Sequence, residues 1–139
     1  MNSGFRILEH PADVGIEATG KSMREVFELA AMGLMSLIVE PSGVQGVEQR
    51  TIHIHASDRE NLLVRWLSEI LFLFDGEHFL TTQAAVNDLS ETALTAVLVG
   101  ERLNPDKHRL HKDVKAATYH QLSIKQEADG WTARVFFDI

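Results

Sequence analysis

The first third of the chain combines two short apolar runs with one long amphipathic segment. Residues 5–8 and 14–18 have the composition of strands, and Pro11 interrupts the pattern between them because it lacks a backbone N–H. From Ser22 onward, apolar residues recur every three or four positions until a Pro-Ser-Gly sequence, which predicts an amphipathic helix. The spacing of Ser22 and Glu25 predicts a capping box at the start of that helix.

The middle of the chain repeats this order of strand and helix. Apolar and polar residues alternate in residues 51–56, which predicts a half-buried strand. Ser57 and Glu60 repeat the capping-box spacing, and an apolar stripe then predicts a second helix that ends near residues 75–76. Four later segments have strand character: residues 79–86, 93–99, 119–125 and 131–139. Two amphipathic helices on a largely antiparallel sheet is the simplest assembly, so we predict one α+β domain over residues 1–139.

The last predicted strand is apolar on both of its faces. Val135 and Phe137 share one face, whereas Phe136 and Asp138 share the other. A strand of this kind is typical of the middle of a sheet, where its end is held inside the protein. We therefore expect the Asp138 side chain and the main-chain carboxylate of Ile139 to be held in place.

Composition and charge exclude several classes of function. The chain has no cysteine, which excludes disulfides, thiolate metal sites and cysteine nucleophiles. Its formal net charge of -7 disfavours a protein that binds nucleic acid by itself, because that affinity depends on clustered cations. A protein partner or a metal cation fits this charge better. Without a signal segment or a long apolar stretch, the sequence is typical of a cytoplasmic protein with no membrane span.

The general catalytic signatures are missing from the sequence. It has no Gly-rich phosphate loop, no nucleophile elbow and no His-Glu-x-x-His motif. His53 and His55 lie on one face of a predicted strand, where solvated side chains are the simpler interpretation than metal ligands. His108 and His111 belong to the charged run DKHRLHKD, which predicts an exposed loop.

A carboxylate cluster is the most specific chemical hypothesis. His10 and Asp13 are three positions apart, which suits either a local hydrogen-bonded turn or a binding site. If the last strand ends beside this turn, Asp13, Asp138 and the carboxylate of Ile139 converge. Two carboxylates about 4.5 Å apart repel by roughly 3–4 kcal/mol at an effective dielectric near 20, so the cluster needs protonation, basic residues or a metal. Oxygen donors without sulfur favour Ca²⁺, Mn²⁺ or Mg²⁺ over zinc.

Several segments together resemble the archease family. They are EHPADVGIEATG, EVFELAAMGL, NLLVRWLSEILFLFD, DVKAATYHQL and ARVFFDI, in that order over nearly the whole chain. The combination of H-x-A-D-V-G, V-K-A-x-T-Y-H and a final D-I is specific to that family. Position 11 is a departure, since proline stands where threonine is more usual.

The resemblance implies a non-enzymatic protein that activates an RtcB-type RNA ligase during tRNA splicing or RNA repair. It implies that the protein promotes guanylylation and repeated turnover of the ligase, and meets RNA and GTP only through it. It also implies a divalent cation, with calcium favoured over Mn²⁺ or Mg²⁺, held by Asp13, Asp138 and the carboxylate of Ile139. By the same resemblance, His10 contacts a metal ligand rather than the ion. The residues expected to contact the ligase or its nucleotide are Lys115, Lys107 and His108.

Two other functions fit the same residues. In a metal-dependent phosphoesterase, Asp13, Asp138 and a metal would activate water while His10 or His120 protonates the leaving group. A general adaptor or chaperone-like scaffold would instead bind its partner whether or not a chelator is present.

Overall fold

The computed structural model describes residues 2–10 and 12–139. In these residues the helices are α1 (Met23–Ile38) and α2 (Arg59–Glu77), and Pro41–Gly43 forms a single 3₁₀ turn. The strands are β1 (Gly4–Glu9), β2 (Asp13–Gly20), β3 (Glu48–His55), β4 (Phe79–Leu89), β5 (Ala93–Arg102), β6 (Ala116–Ala117), β7 (Ser123–Glu127) and β8 (Gly130–Asp138). The predicted α+β class is confirmed. Pro11, which was predicted to interrupt the first two strands, lies outside the described residues.

The strands form two antiparallel sheets. One sheet has the order β1-β2-β8-β6, with β7 also paired to β8, and the other has the order β3-β5-β4. Strand β8 therefore has neighbours on both sides, as its two apolar faces predicted. The strand predicted over residues 119–125 starts later, because residues 119–122 form a turn in which Gln121 has a φ of 51°.

Helix α1 begins as the sequence predicts, with one difference in its capping. The N–H of Glu25 donates to Ser22 Oγ at 3.1 Å, which is one half of a capping box. The Glu25 carboxylate accepts instead from the N–H of Lys21 at 2.8 Å and from the hydroxyl of Ser3. Glu25 therefore joins the turn before the helix to the start of the chain.

Helix α2 begins one residue later than its predicted capping box. Its N-cap is Asp58, whose Oδ1 accepts from the N–H of Asn61 at 2.7 Å. Asn61 in turn accepts from the N–H of Ser57 at 3.1 Å. The predicted box of Ser57 and Glu60 is wrong because aspartate is at least as good an N-cap as serine, so the next position along the chain takes the role.

The core lies between the helices and one face of each sheet. Trp66 of α2 is fully buried, and its Nε1–H donates to the carbonyl oxygen of Phe27 in α1 at 2.8 Å. Helix α1 also packs on β2 and β8, whose residues Val14, Ile16 and Phe137 belong to the same buried cluster. The opposite face of β2 and β8 points away from both helices. Of the helices in the described residues, neither is long and apolar enough to span a bilayer.

Candidate functional site

Two carboxylates lie opposite each other at one end of the five-stranded sheet. Asp13 pairs directly with Asp138 in the antiparallel register of β2 and β8. Residues in this relationship project from the same face, with their Cβ atoms about 4.5–5.5 Å apart. On the other side of β8, Asp138 pairs with Ala116, and its carbonyl oxygen accepts from the N–H of Lys115 at 2.8 Å. The structure thus brings Asp13, Asp138 and the main chain of Lys115 together.

Ile139 follows directly after this pair. It lies beyond β8 and is 39% exposed. In the described part of the chain, no set of three or more histidine, aspartate or glutamate side chains could hold a metal ion. A cation at Asp13 and Asp138 would therefore need a further group.

His10 makes a local turn with Asp13. The N–H of His10 donates to the Asp13 carbonyl oxygen at 3.2 Å. Its Nδ1 also lies 3.2 Å from Asp13 Oδ1, and both side chains are partly exposed. The hydrogen-bonded turn is therefore present, and it also puts an imidazole beside a candidate ligand.

An aromatic cluster adjoins the carboxylates. Phe136 lies opposite Gly15 on the same outward face, and a Cβ added to Gly15 would be 2.7 Å from Phe136 Cε1. The rings of His10 and His120 contact the Phe136 ring, with centroid separations of 4.9 Å and 5.7 Å. Sequence reasoning gave no site role to Gly15 or Phe136. The available signals were a glycine inside a strand and an aromatic residue on a polar face.

On the outward face of β2 and β8, which points away from the helices, the carboxylate of Glu17 is neutralised by arginine. Glu17 lies between two arginines, with Arg134 Nη2 at 2.6 Å and Arg6 Nη2 at 2.8 Å. The hydrogen bond from Arg134, followed by that from Arg6, lowers the pKa of Glu17 below its ordinary value. Within the described residues, by contrast, no lysine or arginine forms an ion pair with Asp13 or Asp138.

The predicted contact residues separate into two places. Lys115 is exposed at the carboxylate end, whereas the His108 ring is fully buried. His108 Nδ1 accepts from the N–H of Asn104 at 2.9 Å, and its Nε2 lies 3.0 Å from Glu101 Oε2. The expectation of an exposed loop is therefore wrong for His108, and its side chain offers no surface for a ligase or nucleotide contact.

Lys107 belongs to the same network. Its Nζ lies 2.9 Å from both carboxylate oxygens of Glu101. The N–H of Gln45 donates to Glu101, and this bond, together with those from Lys107 and His108, lowers the pKa of Glu101 to about 2. Lys107 and His108 therefore tie their loop to β5.

The remaining histidines are in ordinary surface positions. His53 and His55 are exposed on β3, and His53 Nδ1 lies 3.0 Å from Thr95 Oγ1. His111 is partly exposed, with Nε2 at 3.4 Å from a carboxylate oxygen of Glu40. These positions agree with the solvated side chains that the pattern favours.

Solved structures share this fold. The solution structure of Methanobacterium thermoautotrophicum protein 1598 is similar with a TM-score of 0.81 at 31% identity, covering 98% of this chain and 99% of that one. A crystal structure of an archease from Thermotoga maritima, described as a possible chaperone, has a TM-score of 0.68 at 21% identity and 96% coverage of both chains.

Sequence comparisons give the same relationship. The chain is 37% identical over 139 residues to protein archease of Methanosarcina acetivorans, covering 97% of this chain and 95% of that protein. It is 35% identical over 136 residues to protein archease of Sulfurisphaera tokodaii, covering 97% and 98%. The profile of the Archease protein family (MTH1598/TM1083) matches residues 5–139. This chain belongs to the archease family.

Proposed function

We propose that this protein is a metal-binding, non-enzymatic activator of an RtcB-type RNA ligase, acting in tRNA splicing or RNA repair. The observation that carries the proposal is the direct pairing of Asp13 with Asp138, which concentrates negative charge at one end of a sheet. Membership of the archease family supports a role as a partner protein, since the relatives are named as proteins rather than as enzymes.

The donor set suits a hard divalent cation. Asp13, Asp138 and the main-chain carboxylate of Ile139 would supply oxygen ligands only, and such ligands suit Ca²⁺, Mn²⁺ or Mg²⁺. Calcium is the first choice because it tolerates an irregular set of oxygen ligands. His10 would hold the Asp13 carboxylate in place through its contact at 3.2 Å. A bound cation would supply positive charge and coordination positions for oxygen atoms of the ligase or its nucleotide.

The carboxylate end is also the surface that would meet the ligase. The exposed Lys115 lies beside Asp138 and is the candidate at this end of the sheet for a contact with the ligase or with its bound nucleotide. Lys107, which is exposed on another loop, stays a second candidate. RNA and GTP would bind to the ligase and not to this protein alone, in agreement with the formal net charge of -7.

A ligation assay over many turnovers tests the proposal. A limiting amount of the cognate ligase is incubated with RNA ends, GTP and Mn²⁺, with and without this protein. We expect the wild-type protein to raise the number of turnovers and Asp13→Asn to lose this effect. Asp88→Asn, which removes an exposed carboxylate from β4 in the other sheet, is the matched control and should activate normally. Equal activation by wild type and Asp13→Asn would contradict the proposal.

The two other functions predict different results. A phosphoesterase would release phosphate or open a 2′,3′-cyclic phosphate without the ligase, and we expect no such release. A scaffold would bind the ligase equally well with and without EDTA, whereas the proposed site predicts weaker binding in EDTA.

A further inference from the structure

We propose that Phe136 is a positioning residue: its ring, seated over the backbone of Gly15, holds the imidazole of His10 against the Asp13 carboxylate. The inference rests on the proposed function only for its consequence in metal binding. The arrangement of the side chains can be tested separately in the metal-free protein.

The register of β2 and β8 puts this ring beside the carboxylate pair. Gly15 lies opposite Phe136, and Asp13 lies opposite Asp138. In each strand the two residues are two positions apart and so project from the same face, about 7 Å from each other along the strand. Phe136 is thus the next outward-facing residue before the candidate ligand Asp138.

The ring has its place because Gly15 has no side chain. A Cβ at position 15 would lie 2.7 Å from Phe136 Cε1 and 2.8 Å from Cδ1, closer than side-chain carbons pack. The ring therefore lies against the main chain of β2. A glycine inside a strand commonly marks such a close approach.

Phe136 is buried although it points away from the core. It is 1% exposed, yet it does not belong to the hydrophobic cluster between the sheets and helices. His10 and His120 both contact its ring. The N–H and hydroxyl of Thr118 each donate to the Phe136 carbonyl oxygen at 2.9 Å, which fixes the main chain at this point.

His120 reaches the ring from a strained turn. The next residue, Gln121, has a φ of 51°, a left-handed conformation that is unfavourable for a non-glycine residue. The turn is closed by a hydrogen bond from the N–H of Leu122 to the Tyr119 carbonyl oxygen. Contact of His120 with Phe136 is one interaction that offsets this cost.

His10 receives its orientation from two contacts. Its side chain is 44% exposed, so surrounding packing alone does not restrict its rotamer. The Phe136 ring contacts one part of the imidazole, and Asp13 Oδ1 lies 3.2 Å from Nδ1. Groups that orient a metal ligand commonly change metal affinity by about 10–100-fold when they are removed. Loss of the ring should therefore weaken cation binding although Phe136 supplies no ligand atom.

The first test compares neighbouring phenylalanines on opposite faces of β8. Phe136→Leu removes the ring under His10, whereas Phe137→Leu creates a similar loss of volume in the core, where Phe137 is fully buried. In the metal-free protein we expect Phe136→Leu to shift the His10 ring-proton resonances toward those of a free histidine, because the ring current is lost. We also expect the Hα–Hβ couplings of the His10 resonances to become averaged between rotamers, because the contact that restricts the side chain is lost. Phe137→Leu should lower the Tm and leave those resonances unchanged. With Mn²⁺ as the probe, Phe136→Leu should raise the Kd about tenfold and Phe137→Leu should not.

The second test uses the contact with Gly15. Gly15→Ala should displace the ring and reproduce the shifts of Phe136→Leu. The double variant combines Gly15→Ala with Phe136→Leu. Its leucine is smaller than phenylalanine and leaves space for the added methyl group, so the Mn²⁺ affinity of the double variant should be no lower than that of Phe136→Leu alone. Phe136→Met, which retains apolar volume without a ring, replaces Phe136→Leu if that variant does not fold.

Unchanged His10 resonances in folded Phe136→Leu or Phe136→Met would overturn the inference. An unchanged Mn²⁺ Kd in these variants would also overturn it. Failure of the wild-type protein to bind Mn²⁺ or Ca²⁺ would instead contradict the proposed function, and the metal-free resonances would still decide the role of Phe136.

Discussion

Asp138 lies directly opposite Asp13 in the pairing of β8 with β2, so two acidic residues from distant parts of the sequence share one face. Like charges in this relationship destabilise a sheet. Four residue pairs further along the same two strands, Glu17 is paired with Arg134, which neutralises the carboxylate by a contact of 2.6 Å. The acidic pair is therefore a local departure from the charge pairing of this face, and a cation would resolve it.

Removing one carboxylate should have opposite effects with and without metal. In EDTA, Asp138→Asn should raise stability by about 0.2–1 kcal/mol, because a repulsive cross-strand pair is lost. With Ca²⁺ at a hundred times its Kd, the wild type should gain about 2.7 kcal/mol, and the variant should gain much less. Thermal unfolding in EDTA and in Ca²⁺ measures both effects, with Asp88→Asn as the control. An equal Ca²⁺-dependent rise in Tm for wild type and Asp138→Asn would exclude this site.

Extending the chain beyond Ile139 should weaken cation binding. Two added glycines convert the main-chain carboxylate into a peptide carbonyl, which is a neutral and weaker ligand for a hard cation. We expect at least about a tenfold loss of Mn²⁺ affinity, equivalent to 1.4 kcal/mol, and reduced ligase activation. The fold should persist because Ile139 lies outside β8. Calorimetric titration with Mn²⁺ measures the change, and Ile139→Val is the control that keeps the carboxylate. Undiminished affinity in the extended protein would remove Ile139 from the site.

Substitution of Lys115 should weaken activation of the ligase and leave the affinity for the cation unchanged. Lys115→Ala keeps the main-chain N–H that donates to Asp138, so the local structure should be retained. Activation in the ligation assay should fall several-fold while the Mn²⁺ Kd stays at its wild-type value. Lys125→Ala, which removes an exposed lysine from β7, should have no effect on either measurement. A normal activation by Lys115→Ala would show that this side chain is not part of the ligase contact.

The Glu101 network should make part of the stability depend on acid pH. The folded protein holds the pKa of Glu101 at about 2, below the ordinary value of 4.5, so it binds the proton less readily than the unfolded chain does. This contribution is complete above pH 4.5 and disappears as the pH falls toward 2. Glu101→Gln should therefore lower the Tm at pH 7, and its difference from the wild type should shrink over that interval. A difference in Tm between the wild type and Glu101→Gln that stays constant from pH 7 to pH 2 would contradict the lowered pKa of Glu101.

Gly100, in the three-stranded sheet, should be far more sensitive to substitution than Gly76 in α2. A Cβ there would lie 1.9 Å from the Leu80 carbonyl oxygen, and main-chain atoms of paired strands cannot move apart easily. Gly100→Ala should therefore destabilise the fold by more than about 3 kcal/mol, which is above the usual range for a single substitution. Gly76, in the last turn of α2, has open space at the same atom, so Gly76→Ala should be neutral or stabilising by up to about 1 kcal/mol. Chemical denaturation measures the free energy of unfolding of both variants. Similar values for Gly100→Ala and Gly76→Ala would contradict the prediction.

The local patterns predicted the elements and the class of the fold. Both helices, the alternation of β3 and the central position of β8 follow from apolar spacing, because burial of one face imposes a period on the sequence. The sequence predicts Ser57 as the N-cap of α2, whereas the structure has Asp58. Both are good N-cap residues, so the sequence alone does not choose between them. The sequence also showed that a cation would have no sulfur ligand from cysteine, because the chain has no cysteine.

Only the tertiary structure decided which of these residues meet. Pairing of β2 with β8 depends on contacts between distant segments, and it puts Asp13 opposite Asp138 and Phe136 over Gly15. His108 is likewise buried, with its Nε2 beside the carboxylate of Glu101 in β5, so a charged run in the sequence contains an interior side chain. Apolar periodicity is a local property that one segment reveals by itself. Strand register and the pairing of charges are properties of two segments together, and they exist only once the chain has folded.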